Sequence, residues 1–254
     1  MLISETQIYR YARQLVMPEI NETGQQLLLS SKVVILGAGG LGSAVIANLA
    51  AAGIGELTIC DNDTVDLSNL NRQFIYREQD VGQPKTLQAQ RFVENINSDV
   101  SVKIKQQTIN ETSLIEILAD CDLLVDCTDH FDTRLAAARA SFRIGVPHVF
   151  GGAVRFDGQM ATFMAGVPGY EKSACFGCLF SEDVKTNQVS NCAQAGILSP
   201  ITGIIGNLQS LETIKWITKV GETAVNKFTL FDGYSGNFNS IKISKNQKCT
   251  VCFD

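Results

Sequence analysis

The chain has 254 residues, 45% hydrophobic and 19% charged, enough apolar material for one large α/β domain or two small ones and too much for a disordered chain. A net charge of −5 and a pI near 5.1, without a long Lys/Arg run, argue against a sequence-independent grip on nucleic acid or an anionic membrane. The first residues, "MLISETQIYRYARQLV", carry charges where a signal peptide needs an apolar core. No apolar run reaches the ~18 residues of a membrane span, so the chain reads as cytoplasmic.

Taken in order, the pattern predicts helix over 5–30 with a break near Met17–Pro18, then a strand at 32–36, a glycine turn, and an alanine-rich helix to about Ala52. A strand "ELTICD" (56–61) follows. The Asn/Asp-rich run "DNDTVDLSNLNRQF" (61–74) is too polar for regular structure and reads as loop. A helix from Pro84 to about Asn95, a strand at 100–105, a helix at 111–119, a strand at 122–127 and a helix at 132–144 lead into "PHVFG". Strands separated by helices imply parallel βαβ units, a doubly wound Rossmann-like sheet. After Gly151 the pattern changes. "GQMATFMA", "KFTLFDG" and "SIKIS" read as strands, with a long helix at about 203–219, and extend the same sheet with antiparallel strands. No linker or repeat marks a boundary, so one domain is expected, with halves at 1–150 and 151–254.

The motifs lie at the strand ends. In "VVILGAGGLGSAV" (33–45), Gly37, Gly39 and Gly42 satisfy G-x-G-x-x-G and Gly40 adds a fourth small residue. Such a turn lets a phosphate approach the backbone at a helix N-terminus. Asp61 ends the next strand, where a carboxylate can bond ribose hydroxyls. The pattern alone fits NAD, FAD, any adenine nucleotide, or a purely structural turn; a Walker loop is excluded, since no G-K-[ST] follows. Arg72 and Lys85 follow at the expected C-terminal edge of the sheet, and Asp126 and Asp129 in "DCTDH" end another strand there. Phosphoryl chemistry uses such cations and a Mg²⁺-binding carboxylate, whereas hydride transfer has little use for them. A solvated ion-pair cluster is the bland alternative.

Eight cysteines include Cys175-x-x-Cys178 and Cys249-x-x-Cys252, which could supply four thiolates to one tetrahedral Zn²⁺. A redox dithiol is the rival reading. Cys192 stands alone in "SNCAQAG"; Cys60, Cys121 and Cys127 sit in or beside apolar strands and read as core.

"RYARQ" (10–14), "GAGGLG", "DNDTVDLSNLNRQ", Lys85, "DCTD", both C-x-x-C pairs and "CAQAG" (192–196) together resemble the ThiF/MoeB/HesA family, bacterial relatives of ubiquitin-activating enzymes, from Tyr9 to Cys252. The resemblance implies an adenylyltransferase that binds ATP-Mg²⁺ and activates the Gly-Gly carboxylate of a ubiquitin-like sulfur-carrier protein, ThiS- or MoaD-like, for thiamine or molybdopterin biosynthesis. Position by position it implies Gly40 against the nucleotide, Asp61 on the ribose, Ser68, Asn69, Arg72 and Lys85 on the nucleotide and its triphosphate, and Asp129 on magnesium. It implies Arg13 reaching ATP across a homodimer interface, a structural zinc on the four paired cysteines, and a carrier-binding second half. A cysteine desulfurase or rhodanese would donate the sulfur. In the thiamine branch the residue matching Cys192 is linked covalently to the activated carrier, and "LFDGYSG" and "NCAQAGILSP" lean toward that branch (ThiF). One departure is His130, where the family usually has Asn. From other classes, an NAD-dependent oxidoreductase and a non-catalytic zinc-stapled binding module remain as alternatives.

Overall fold

A computed structural model describes residues 3–180 and 195–253. Five strands, β1 (Lys32–Leu36), β2 (Glu56–Cys60), β3 (Ser101–Lys105), β4 (Leu123–Asp126) and β5 (His148–Val154), pair in parallel in the order β3-β2-β1-β4-β5. Three more, β6 (Asp157–Phe163), β7 (Lys227–Asp232) and β8 (Asn237–Lys242), continue the sheet antiparallel from β5. The expected mixed sheet, parallel first and antiparallel later, is therefore present across both halves.

The inner parallel strands β1, β2 and β4 are buried almost end to end because both faces are covered, whereas the edge strand β3 (SVKIK) leaves Ser101, Lys103 and Lys105 exposed. Val33 and Ile35 of β1 face one layer, Val34 and Leu36 the other, as the two-residue period of a strand requires. On the first face lie α4 (Gly40–Ala52), α5 (Lys85–Ile96) and the long α9 (Ser199–Thr218), whose Val45, Leu49, Val93, Ile201 and Ile205 close the main core. On the second lie α6 (Glu111–Leu118) and α7 (Phe131–Ile144), through Leu114, Leu118, Ala137 and Ala140. A third cluster, rich in phenylalanine, joins Phe150, Phe163 and Phe228 to Phe176 on the short α8 (Phe176–Leu179) and to the paired cysteines. Three short helices, α1 (Glu5–Arg10), α2 (Ala12–Leu15) and α3 (Asn21–Ser30), precede β1.

Several boundaries differ from the sequence reading, among them a second break of the N-terminal helix at Tyr11, and three of them have a clear cause. The second strand stops at Cys60 because the Asp61 carboxylate turns back to accept from the backbone N–H groups of Ala38 (2.7 Å) and Asp63 (2.8 Å). The long helix begins at Ser199 because Pro200 fits its first turn, where no backbone donor is needed. The last strand is Asn237–Lys242, set by its hairpin register with β7 from Asp232↔Asn237 to Lys227↔Lys242 rather than by the alternation in "SIKIS".

Candidate functional site

The strand order reverses direction at β1, with β2 on one side and β4 on the other, and ligands of open α/β sheets bind at the carboxyl ends of strands at such a point. A cleft of about 860 Å³ opens there, within the usual range for a cofactor or substrate pocket.

Its floor is the glycine turn. Gly37 adopts φ +94°, and a Cβ on it would lie 3.0 Å from the Cys127 carbonyl oxygen. A Cβ on Gly42 would fall 2.1 Å from the Gly37 oxygen, so that glycine lets the turn fold onto the helix rather than lining the cleft. Gly39 and Gly40 do line it, and no side chain caps the first turn of α4, which leaves helix N–H groups toward the opening. The turn is clamped on two sides: Asp61 accepts from the Ala38 N–H, and the buried Tyr76 hydroxyl donates to the Ala38 carbonyl at 2.8 Å. Burial raises the Asp61 carboxyl above its ordinary range, opposed by the Lys85 charge and the two backbone donors.

The polar run after β2 forms the wall. Asp66 opens a 3-10 turn over Leu67–Asn69, accepting from the Ser68 N–H at 2.8 Å while its own N–H donates to Asn69 Oδ1 at 3.2 Å. Ser68 and Asn69 both line the cleft. Arg72 lies four residues past Ser68, and its Nη1 donates to the Ser68 carbonyl (3.1 Å) and Asn71 Oδ1 (3.0 Å). Lys85, the first residue of α5, is 5% exposed, and its Nζ pairs with Asp63 Oδ2 at 2.8 Å. Lys85 is stapled to the wall because its N–H donates to the Asp63 carbonyl and Thr64 bridges Pro84.

The loop after β4 closes the far side with Thr128, Asp129 and His130. Asp129 is exposed, 3.7 Å from His130 Nε2. Asp126 is not in the cleft. It is fully buried, with Oδ1 accepting from the Thr128 N–H (3.0 Å) and hydroxyl (2.7 Å) and Oδ2 3.1 Å from His148 Nε2. Arg134 donates from Nε to the Thr128 carbonyl at 3.1 Å and fixes the loop from below.

Asp61, Ser68, Asn69, Arg72, Lys85 and Asp129 thus share one cleft with Gly37, Gly39 and Gly40. Arg13, exposed on α2, does not line it. Cys192 lies outside the described residues. Asp63, Gln73 and Arg134 also line the cleft and escaped the sequence reading, although Asp63 and Gln73 stand inside the quoted polar run. Gln73 Oε1 is buried without a hydrogen-bond partner, and its Nε2 lies 3.7 Å from where a Cβ on Gly39 would stand.

Away from the cleft, the thiols of Cys175, Cys178, Cys249 and Cys252 lie within 4.8 Å of one another. Separations of 3.4 to 3.7 Å exclude disulfides and come close to the ~3.8 Å edge of a tetrahedron with 2.3 Å Zn–S bonds. Backbone N–H groups of Asn246 and Val251 donate to Cys178 and Cys249, as suits thiolates. Hydrogen bonds among the thiols push Cys175 up and hold Cys178 far below an ordinary thiol. Burial raises Cys60 to about 12, so this thiol stays protonated and inert at the floor of the cleft.

The fold and these two sites define a Rossmann-like nucleotide-binding protein with a four-thiol cluster. The chain belongs to the ThiF family, which matches residues 11–251. It is 35% identical over 251 residues to a sulfur carrier protein adenylyltransferase of Thermus thermophilus, covering 99% of this chain and 93% of that one. Two Escherichia coli K12 proteins are similarly related: a molybdopterin-synthase adenylyltransferase (36% identical, 98% of each chain) and a sulfur carrier protein ThiS adenylyltransferase (35%, 98% and 97%). Among solved structures, E. coli MccB with ATP superposes with a TM-score of 0.78 at 28% identity, covering 91% of this chain and 69% of that one. Among the described residues no helix is long and apolar enough to cross a membrane.

Proposed function

We propose that this chain is an ATP-dependent adenylyltransferase that activates the C-terminal carboxylate of a ubiquitin-like sulfur-carrier protein, ThiS- or MoaD-like. The observation that carries this reading is the meeting of the glycine turn, Arg72, Lys85 and Asp129 in one cleft of a ThiF-family chain. The carrier carboxylate attacks the α-phosphate of ATP, a carboxyl-oxygen–phosphorus bond forms, the α–β phosphoanhydride breaks, and pyrophosphate leaves.

Both reactants are anions, so the chain must offset repulsion and hold them in line. The open N–H groups at Gly39 and Gly40 suit a phosphate, and the carboxylate of Asp61 suits the ribose hydroxyls. Lys85 and Arg72 place positive charge on the side of the triphosphate that becomes the leaving group, with Ser68 and Asn69 in the same wall. A preorganised donor at such a position is worth about 3–4 kcal/mol in the transition state. Asp129 is the residue that would hold Mg²⁺, which would neutralise phosphate charge when bound; an exposed carboxylate at the cleft edge fits that task. The nucleophile is already ionised at neutral pH, so no general base is needed. Arg13 is assigned to a second protomer's cleft in a homodimer, and Cys192 to a covalent step after adenylation. The second half of the chain is assigned to carrier binding. The four-thiol cluster is assigned to a closed, structural Zn²⁺ without an open position for chemistry.

Carrier-dependent ATP–pyrophosphate exchange tests this directly, run separately with a ThiS-type and a MoaD-type carrier ending in Gly-Gly. Exchange with either supports adenylation, and the preferred carrier assigns the pathway. Folded, zinc-loaded protein that exchanges with neither belongs instead to the binding-module class.

A further inference from the structure

We propose that His148 is a positioning residue for the nucleotide cleft, setting the Thr128–Asp129 loop through the carboxylate of Asp126. The proposal rests on the assignment of Asp129 to the nucleotide site. His148 opens β5, directly beside β4, in the register Leu124↔His148. Its ring is 1% exposed and lies in an aromatic box, 5.7 Å from the Phe163 ring centre and 6.5 Å from that of Phe176. It does not line the cleft.

An apolar side chain would fill such a box without a polar penalty. The imidazole instead leaves Nδ1 buried with no hydrogen-bond partner, a cost that packing does not explain. What the ring gains is on its other nitrogen, where Nε2 meets Asp126 Oδ2 at 3.1 Å. The second oxygen of that carboxylate holds both the N–H and the hydroxyl of Thr128, and the next residue is Asp129. With His148 in place, each Asp126 oxygen has a partner and the carboxylate has one orientation. Without it, Oδ2 is a buried, unpartnered anion, free to rotate away from Thr128 or to draw in water. The chain of contacts is therefore imidazole, carboxylate, Thr128, cleft. It resembles the outer partners that orient metal-binding groups, whose loss costs about 10- to 100-fold in affinity. The same ring touches Phe176, between Cys175 and Cys178, so the thiol cluster and the cleft loop meet at one side chain.

Two measurements test the proposal. In the first, His148→Leu and His148→Gln are compared for Mg²⁺–ATP affinity by calorimetry and for kcat and KM in pyrophosphate exchange. Leu is expected to weaken affinity and raise KM about 10- to 100-fold with a smaller change in kcat. Gln places an amide donor near the former Nε2 and is expected to recover most of the loss. Folded variants with wild-type affinity, or a Gln variant no better than Leu, would overturn the idea.

The second uses the unaltered protein and does not depend on either variant folding well. The sequence has two histidines, so ¹⁵N-histidine spectra resolve His148 from His130, which does line the cleft. Adding Mg²⁺ with a non-hydrolysable ATP analogue is expected to shift both. A shift of His130 alone would overturn the positioning role and leave the adenylation reading standing. No shift of either, with no calorimetric binding, would remove the nucleotide reading and this inference together.

Discussion

Lys85 and Arg72 both face the cleft, yet the chain holds them differently. Lys85 is buried and reaches out to the exposed Asp63, and Arg72 is half-buried and braced by neighbours in its own loop. Arg72→Ala and Lys85→Met are each expected to lower kcat/KM for exchange by about 10²–10³-fold. Urea melts should show stability within about 1 kcal/mol of wild type, because the Lys85–Asp63 pair is open to solvent on the Asp63 side and Arg72 makes hydrogen bonds within its own loop. Asp126 behaves otherwise. Burial alone would raise its carboxyl, but the His148 hydrogen bond and charge, with help from Arg134 and Thr128, hold it below the ordinary range. The folded state then binds this proton less readily than the unfolded chain. The stability it contributes is present above the unfolded value, about pH 4, and is lost as pH falls through the lower folded value. Asp126→Asn should therefore flatten the loss of stability below about pH 4, read from urea midpoints at successive pH values. The strand-end pattern placed Asp126 and Asp129 together, and only the family resemblance singled out Asp129. The physical reason is their positions, Asp126 inside the sheet and Asp129 one loop beyond, which the packing shows. His148 was invisible for the same reason: its partner is 22 residues away and meets it only across the parallel ladder.

At the level of elements, the turn keeps its shape because α9 presses on α4. A Cβ on Gly206 would lie 2.7 Å from both the Ala44 Cβ and the Leu41 carbonyl oxygen, so the two helices approach through a glycine. Gly206→Ala is expected to destabilise the protein by about 1–3 kcal/mol and to weaken nucleotide binding through the first turn of α4, checked by thermal melts and calorimetry on one preparation. Most elements were legible in the sequence because each local signal agrees with the tertiary structure. "VVIL" before a glycine cluster, Pro84 before a helix, and Gly53 and Gly145 in the left-handed region after α4 and α7 all mark real boundaries. The last strand was legible only in outline. All six of its residues are exposed, so no buried face imposes alternation and the hairpin turn sets its register.

For the whole molecule, the four thiols join positions 74 residues apart and close the phenylalanine-rich core. Bound zinc at such a cluster contributes ~10 kcal/mol or more of apparent stability. Chelation should therefore release one zinc per chain, lower the melting temperature, and expose four thiols to a titrating reagent. Cys252→Ser should reproduce the drop without added chelator. A melting temperature insensitive to chelation, with no zinc released, would favour the dithiol reading. The cysteine pairs were conspicuous in the sequence because identical spacing is itself a geometric statement, but their distance from the cleft was not.

The strand order also has a kinetic side. Among the described residues, β5 with β6 and β7 with β8 are joined by short turns, whereas each parallel ladder waits for a helical crossover and β6 meets β7 only after α8 and α9. Nearly every pairing that builds the cleft is thus remote in sequence, and remote pairings form slowly. Refolding from urea should run to seconds, with the β3 and β8 edges of the sheet unguarded meanwhile. The cleft is therefore expected to be among the last parts to form, and refolding yield is expected to be highest in dilute solution.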